Sequence, residues 1–260
     1  MDNYTDYNST IIDKWTDNGW EWGIPISHEV YEKAKYGEWN VDLTPTKQVP
    51  HDWFLPFLKN ERLDGVKLLG LACGGGQQMP KFQALGADCT VLDYSEKMLD
   101  MEYLVAQRES YFINIVRADM SKPLPFADES FDVIFHPVSN VYVEDIQPVW
   151  NECYRILKPG GILMAGCDNG INFLIEDDTE PLKIEYVLPF NPLRNPEHRK
   201  LITGMGDAFQ FSHTYEEQIG GQLKAGFRLT DLYDDTNNTG ALCKYNIPTF
   251  VATRSVKEYV

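Results

Sequence analysis

Residues 66–76 read VKLLGLACGGG, an apolar run that ends in three consecutive glycines. An apolar run without alternation suits a strand covered on both faces, as in a parallel sheet. Parallel strands need long crossover connections, and the following segments supply them. MPKFQALG reads as a helix stopped by glycine, and DCTVLDYS as a second strand. SEKMLDMEYLVAQRE opens with a capping serine and carries apolar residues at helical spacing. INIVRADM and FDVIFHP supply a third and a fourth strand; the helix IQPVWNECYRIL then leads into a fifth, KPGGILMAG. This rhythm predicts an α/β fold with a doubly wound, mostly parallel, Rossmann-like sheet. After a helix in TYEEQIGGQLKAGF, stopped at Gly226, FRLTDLYDD and IPTFVATRS predict a hairpin-like pair. That pair brings the sheet to seven strands and makes the C-terminal strand antiparallel.

Two stretches lie outside the rhythm. Residues 1–60 read as an N-terminal aromatic cap, with one helix-like stretch around Ser27–Tyr36, an extended linker in LTPTKQVP and a short helix in HDWFLPFL. Residues 171–212, which include LPFNPLRNPEHRK, lack a core-sized apolar pattern and read as an insertion in the 61–260 domain.

Charge and cysteine usage narrow the function. The chain has 39 acidic and 23 basic residues, a net charge of −16, and repels polyphosphate unless it carries a strong basic patch. NPLRNPEHRK and ATRSVK are short and lack interleaved aromatics, so nucleic acid is disfavoured as substrate. Cys73, Cys89, Cys153, Cys167 and Cys243 are odd in number and form no C-x-x-C pair, which argues against a disulfide framework and a zinc ribbon. No apolar run approaches the roughly 20 residues of a bilayer span, and the N-terminus has no secretory pattern. A reduced, cytoplasmic protein with no metal is expected.

The glycine run is compatible with a tight turn, a nucleotide cradle or a flexible joint. Open parallel sheets bind ligands at the C-terminal ends of their strands. The first strand ends in Ala72-Cys73-Gly74-Gly75-Gly76, the second in Asp93 and the third in Asp119. A carboxylate about 20 residues after a glycine turn suits the hydroxyls of a ribose. A dinucleotide fingerprint fails because Met79 stands where the third glycine belongs, and no Walker loop is present.

Four stretches, LLGLACGGG, VLDYSEKML, RADMSKPLPFADESFDVIF and CYRILKPGGILMAG, make the chain resemble the class I S-adenosylmethionine-dependent methyltransferases, in the methyltransferase type 11-like branch. The resemblance covers residues 66–168 closely. It implies S-adenosyl-L-methionine as cofactor, with Ala72, Cys73, Gly74, Gly76 and Gln77 under its methionine part. It also implies Asp93, followed by Tyr94, on the ribose, Asp119 and Met120 on the adenine, and Met98 against the adenine face. Met98 equally fits plain helix core. The chain departs from the family pattern at Gly70, where an acid usually stands, and at Ala72, which replaces the first glycine. The absent acid usually helps to hold the cofactor's amino group; Gln77, Asp52 or a backbone carbonyl is a candidate replacement.

His136 ends the fourth strand, where such an enzyme places its reacting groups. It is a candidate general base, with lining the cofactor cleft or bonding a carbonyl as the alternatives. Asn140 and Tyr142 on the same loop are candidates for orienting substrate. Trp15, Trp20, Trp22 and Trp39 form either a lid over the site or an anchor for the segment. His28, His51, His198 and His213 show no metal-ligand spacing. The resulting expectation is methyl transfer to an O, N or C nucleophile of a small molecule. An NAD-linked oxidoreductase and a catalytically silent cofactor-binding protein are the rivals.

Overall fold

The computed structural model describes residues 3–175 and 181–259. Residues 176–180, within the stretch read as an insertion, lie outside the described residues. The parallel strands are β1 (Lys67–Leu71), β2 (Asp88–Asp93), β3 (Asn114–Arg117), β4 (Phe131–His136) and β5 (Leu157–Asp168). β6 (Arg228–Asp235) and β7 (Phe250–Val256) complete one seven-stranded sheet in the order β3-β2-β1-β4-β5-β7-β6. β7 runs antiparallel to both β5 and β6, as the C-terminal pair predicts.

Alternation along the strands feeds two cores. Leu68, Val133 and Phe135 face one layer, with α3 (Met79–Ala84) and α4 (Glu96–Glu109). Leu69, Leu71 and Ile134 face the other, against Trp150 and Cys153 of α5 (Gln147–Ile156). Ser95 caps α4 by accepting from Met98 N at 3.1 Å. The four cysteines 73, 89, 153 and 167 are buried free thiols. No helix among the described residues is long and apolar enough to cross a membrane.

The regions outside the sheet differ from their sequence reading. The N-terminal segment contains α1 (Tyr4–Asp17) as well as the expected α2 (His28–Lys35). Nor does it sit apart: Tyr31, Ala34, Trp39, Val41, Trp53 and Phe54 pack into the same core as Leu68 and Phe82. The stretch read as an extended linker is pinned instead. Asp42 bridges Gln48, and the Asp235 carboxylate accepts the Thr46 and Lys47 N–H groups at 2.8 and 3.0 Å. Residues 171–212 do carry a small core of their own. Phe190, Ile202 of α6 (Pro196–Met205), Phe209 and Phe211 are buried together, with Tyr4 and Tyr7 of α1 against them.

Candidate functional site

Residues just beyond the five parallel strands line up across the mouth of the sheet in strand order. They are Asp119, Asp93, Ala72–Gly74, Pro137–Ser139 and Asp168, and all of them line one cavity of about 540 Å³. With about 4.8 Å between neighbouring strands, the row spans roughly 20 Å. Strand order reverses between β1 and β4, which puts the switch point in the middle of the row.

The glycine run is a tight turn whose three members touch different neighbours. A Cβ on Gly74 would meet Met98 Cβ at 2.7 Å, so this glycine lets the turn lie against α4. Gly75 has φ +97° and would strike the Trp22 carbonyl at 2.2 Å. Gly76 has φ +70° and would meet Pro25 Cβ at 2.8 Å. The last two glycines therefore receive the N-terminal segment, and Gly76, expected under the cofactor, is absent from the cavity wall. Ala72 takes φ +46°, the left-handed conformation that glycine adopts freely. Its N–H donates to the Leu92 carbonyl at 2.8 Å. Gly70 is explained by Met79, whose Sδ would lie 2.4 Å from an added Cβ. The room for an acid on β1 is filled by a thioether.

Asp93 is held by its own neighbourhood. Oδ2 accepts from Gly74 N and Oδ1 from Ser95 N, both at 3.0 Å. Burial pushes its pKa above the usual carboxylate range, against the pull of these backbone donors. Asp119 Oδ1 accepts from Ser121 N at 2.9 Å. Below the turn, the fully buried Glu102 accepts from Gly76 N at 2.7 Å. Burial pushes its carboxyl up to about 8, so it is neutral at pH 7.

Ala72, Cys73, Gly74, Gln77, Asp93, Tyr94, Met98, Asp119 and Met120 all line the cavity. His136 does not. It is fully buried; Nδ1 lies 2.8 Å from the Leu71 carbonyl and Nε2 2.9 Å from the Asn140 amide. Burial lowers its pKa, which keeps the ring neutral with one donor and one acceptor nitrogen. Nδ1–H donates to the Leu71 carbonyl, and the atom facing Nε2 is Asn140 Oδ1. Asn140 Nδ2 in turn donates to Gln218 Oε1 at 3.1 Å. The expectation of His136 as a reacting base is corrected: the ring ties β1 to the loop after β4. Asn140 belongs to this network, whereas Tyr142 does line the cavity.

Asp52 is likewise corrected, being exposed on the short helix His51–Phe54 and away from the cavity. Gln77 spends its amide donor on the Glu21 and Ile24 carbonyls, at 2.7 and 3.0 Å. Of the tryptophans, Trp20 and Trp22 line the cavity, and Trp15 packs on Trp20 with centroids 5.2 Å apart. Trp39 anchors instead, stacked on His51 at 4.0 Å in the core. His28 does meet two acids, Glu32 and Glu109, with ligand atoms within 4.8 Å. Each acid already pairs with a cation, Lys35 or Arg108.

Several cavity residues carried no sequence signal. α1 contributes Thr5, Asn8, Ser9 and Ile12 as a roof fixed at both walls. Ser9 Oγ donates to the Tyr94 carbonyl at 2.9 Å, and the Asn8 side chain exchanges two hydrogen bonds with the Phe209 backbone. Asp42 and Thr44 come from the pinned 41–48 stretch. Beyond β5, Asp168 accepts from Gly170 N and Asn172 Nδ2, both at 2.6 Å, and burial pushes it up to about 6. Phe173, Tyr186, Phe190, Leu201 and Phe250 complete an aromatic chamber at that end. Among the described residues the cavity is lined by four carboxylates, those of Asp42, Asp93, Asp119 and Asp168, and by no Lys, Arg or His.

Comparison with known proteins agrees with this geometry. Residues 69–165 match the methyltransferase domain family. The uncharacterized methyltransferase YbaJ of Bacillus subtilis is 43% identical over 256 residues, which span 96% of this chain and 97% of that protein. The sterol 24-C-methyltransferase erg6 of Aspergillus fumigatus is 26% identical over 70% of this chain and 45% of its own. The S-adenosylmethionine dependent methyltransferase of Mesorhizobium loti superposes with a TM-score of 0.58 at 20% identity, over 78% of this chain and 94% of that one. The chain belongs to the methyltransferase family, with the Rossmann-like fold of its S-adenosylmethionine-dependent members and S-adenosylmethionine as its cofactor.

Proposed function

We propose that this methyltransferase moves the cofactor's methyl group to an O, N or C nucleophile on a small, largely apolar molecule. The carrying observation is the single cavity that joins the carboxylate-lined strand ends to the aromatic chamber beyond β5. Its lining suits a cationic cofactor: carboxylates without a basic side chain repel the pyrophosphate of a dinucleotide and favour a sulfonium. S-adenosylmethionine, when bound, supplies a methyl group activated on that sulfonium. In this reading Asp93 and Tyr94 hold the ribose, and Asp119, Met120 and Met98 enclose the adenine. Ala72, Cys73, Gly74 and Gln77 flank the methionine part.

In-line displacement asks the protein mainly for alignment and the exclusion of water. α1 with Trp20 and Trp22 covers the site, and Phe173, Tyr186 and Phe190 hold the acceptor body. Asp168, at the same end, accepts a hydrogen bond or proton from an acceptor hydroxyl or amine, a task His136 cannot perform. The relative named as a sterol methyltransferase adds support for an apolar acceptor.

The test is incubation with methyl-labelled S-adenosylmethionine and a panel of aromatic and isoprenoid alcohols, amines and activated-methylene compounds. S-adenosylhomocysteine should form in step with a labelled, solvent-extractable product. Label only in protein or RNA would overturn the acceptor class. Tight cofactor binding without turnover on any acceptor would favour the catalytically silent alternative.

A further inference from the structure

We propose that Asp42, carried in from the N-terminal segment, holds the ammonium group of the cofactor's methionine part. The inference rests on the cofactor arrangement above and goes beyond it. A charged ammonium entering a mostly apolar cavity loses hydration and needs an acceptor of opposite charge. β1 cannot supply one at residue 70, because Met79 Sδ and Cys73 Cβ would lie 2.4 and 3.1 Å from any Cβ there.

Four cavity carboxylates remain among the described residues, and position separates them. Asp119 and Asp93 follow β3 and β2, on the nucleoside side of the glycine turn. Asp168 follows β5, at the opposite end of the row beside the aromatic chamber. Asp42 lies over the middle of the row. Its N–H donates to Gln78 Oε1 at 3.2 Å, just after the glycine turn. The carbonyl of its neighbour Leu43 accepts from Val138 N at 3.2 Å, just after β4. These two bonds suspend residue 42 above the β1–β4 switch point, where the methionine arm must pass if the nucleoside lies over β2 and β3.

Like Asp93, Asp119 and Asp168, Asp42 forms no ion pair within 4 Å among the described residues; Lys81 acts on it through space and Gln78 by a hydrogen bond, while burial raises its pKa.

The experiment is calorimetric titration of the full chain with S-adenosylhomocysteine and with 5′-methylthioadenosine, which keeps the nucleoside and sulfur but lacks the amino-acid end. Asp42→Asn should weaken S-adenosylhomocysteine binding at least tenfold and leave 5′-methylthioadenosine within twofold. Asp42→Glu, which keeps the charge, should recover part of the loss. Unchanged binding of both ligands, or equal loss of both, would overturn the role of Asp42. Wild-type protein that binds neither ligand would overturn the cofactor arrangement itself, a result distinct from these.

Discussion

At the β3–β2–β1 end of the cavity the holding is done by backbone. At the β5 end it is done by side chains from distant parts of the chain. Gly74 N, Ser95 N and Ser121 N fix Asp93 and Asp119, all within residues 69–165. The aromatic chamber draws on residues 173, 186, 190, 201 and 250, and Phe190 is set by rings: Phe173 at 5.3 Å and His198 stacked at 4.2 Å. A site fixed by backbone N–H groups of its own turns tolerates little change. One made by packed side chains can be reshaped without disturbing a strand, which suits the acceptor role proposed for it.

The largest effect should come from Phe190→Ala. Removing this buried ring costs about 3 kcal/mol or more by the usual cavity penalty. The loss should appear as faster amide exchange in residues 186–212 and a higher KM for the acceptor. S-adenosylhomocysteine affinity should stay within twofold, and a tenfold drop would break the separation of the two ends.

Asp93→Ala probes the opposite end. It removes a carboxylate expected to meet the ribose and strips Gly74 N and Ser95 N of their acceptor. Cofactor affinity should fall at least ~tenfold, the effect of losing one charge-assisted hydrogen bond. Near-wild-type affinity would remove Asp93 from the cofactor site.

A third variant sharpens the comparison through pH. Burial disfavours the charge of Glu102 and pushes it up to about 8 in the folded chain, from an ordinary glutamate value near 4.5. The folded state thus binds the extra proton over that window. Its stabilising contribution is complete below about 4.5 and falls as pH rises through about 8, with a slope of about 1.4 kcal/mol per pH unit between. Glu102→Gln keeps an acceptor for Gly76 N and should lose this slope. Denaturant melts of both proteins at pH 6 and pH 8 should diverge, the variant being the more stable at pH 8. Parallel melts would show that Glu102 ionises normally.

The sheet was legible because its signals are local. Each strand is an apolar run, each helix has periodic apolar residues, and Ser95 and Gly226 serve as caps. The Asp93–Asp119 end of the cavity was legible for the same reason, its acids standing at strand ends. α1 was hidden because the face it buries is Thr5, Asn8, Ser9 and Ile11, mostly polar and without an apolar stripe. Its contacts, Asn8 with Phe209 and Ser9 with Tyr94, span 201 and 85 residues. Asp42 and Asp168 give no local sign of sharing a cavity, since only the sheet brings them together. His136 misled for a related reason. A histidine after β4 has the right address, and only the contacts with Leu71 and Asn140 show that it turns inward.

Ala72 carries a lesson about how a motif is encoded. A strained left-handed alanine, costing roughly 1–2 kcal/mol, is retained at a place where other chains write glycine. What the turn preserves is therefore a set of torsions and clearances, with the letters negotiable around it. Written as an alphabet, the pattern breaks at residues 70 and 72. Written as a torsion, residue 72 keeps the left-handed angle, while the volume at residue 70 is taken by Met79.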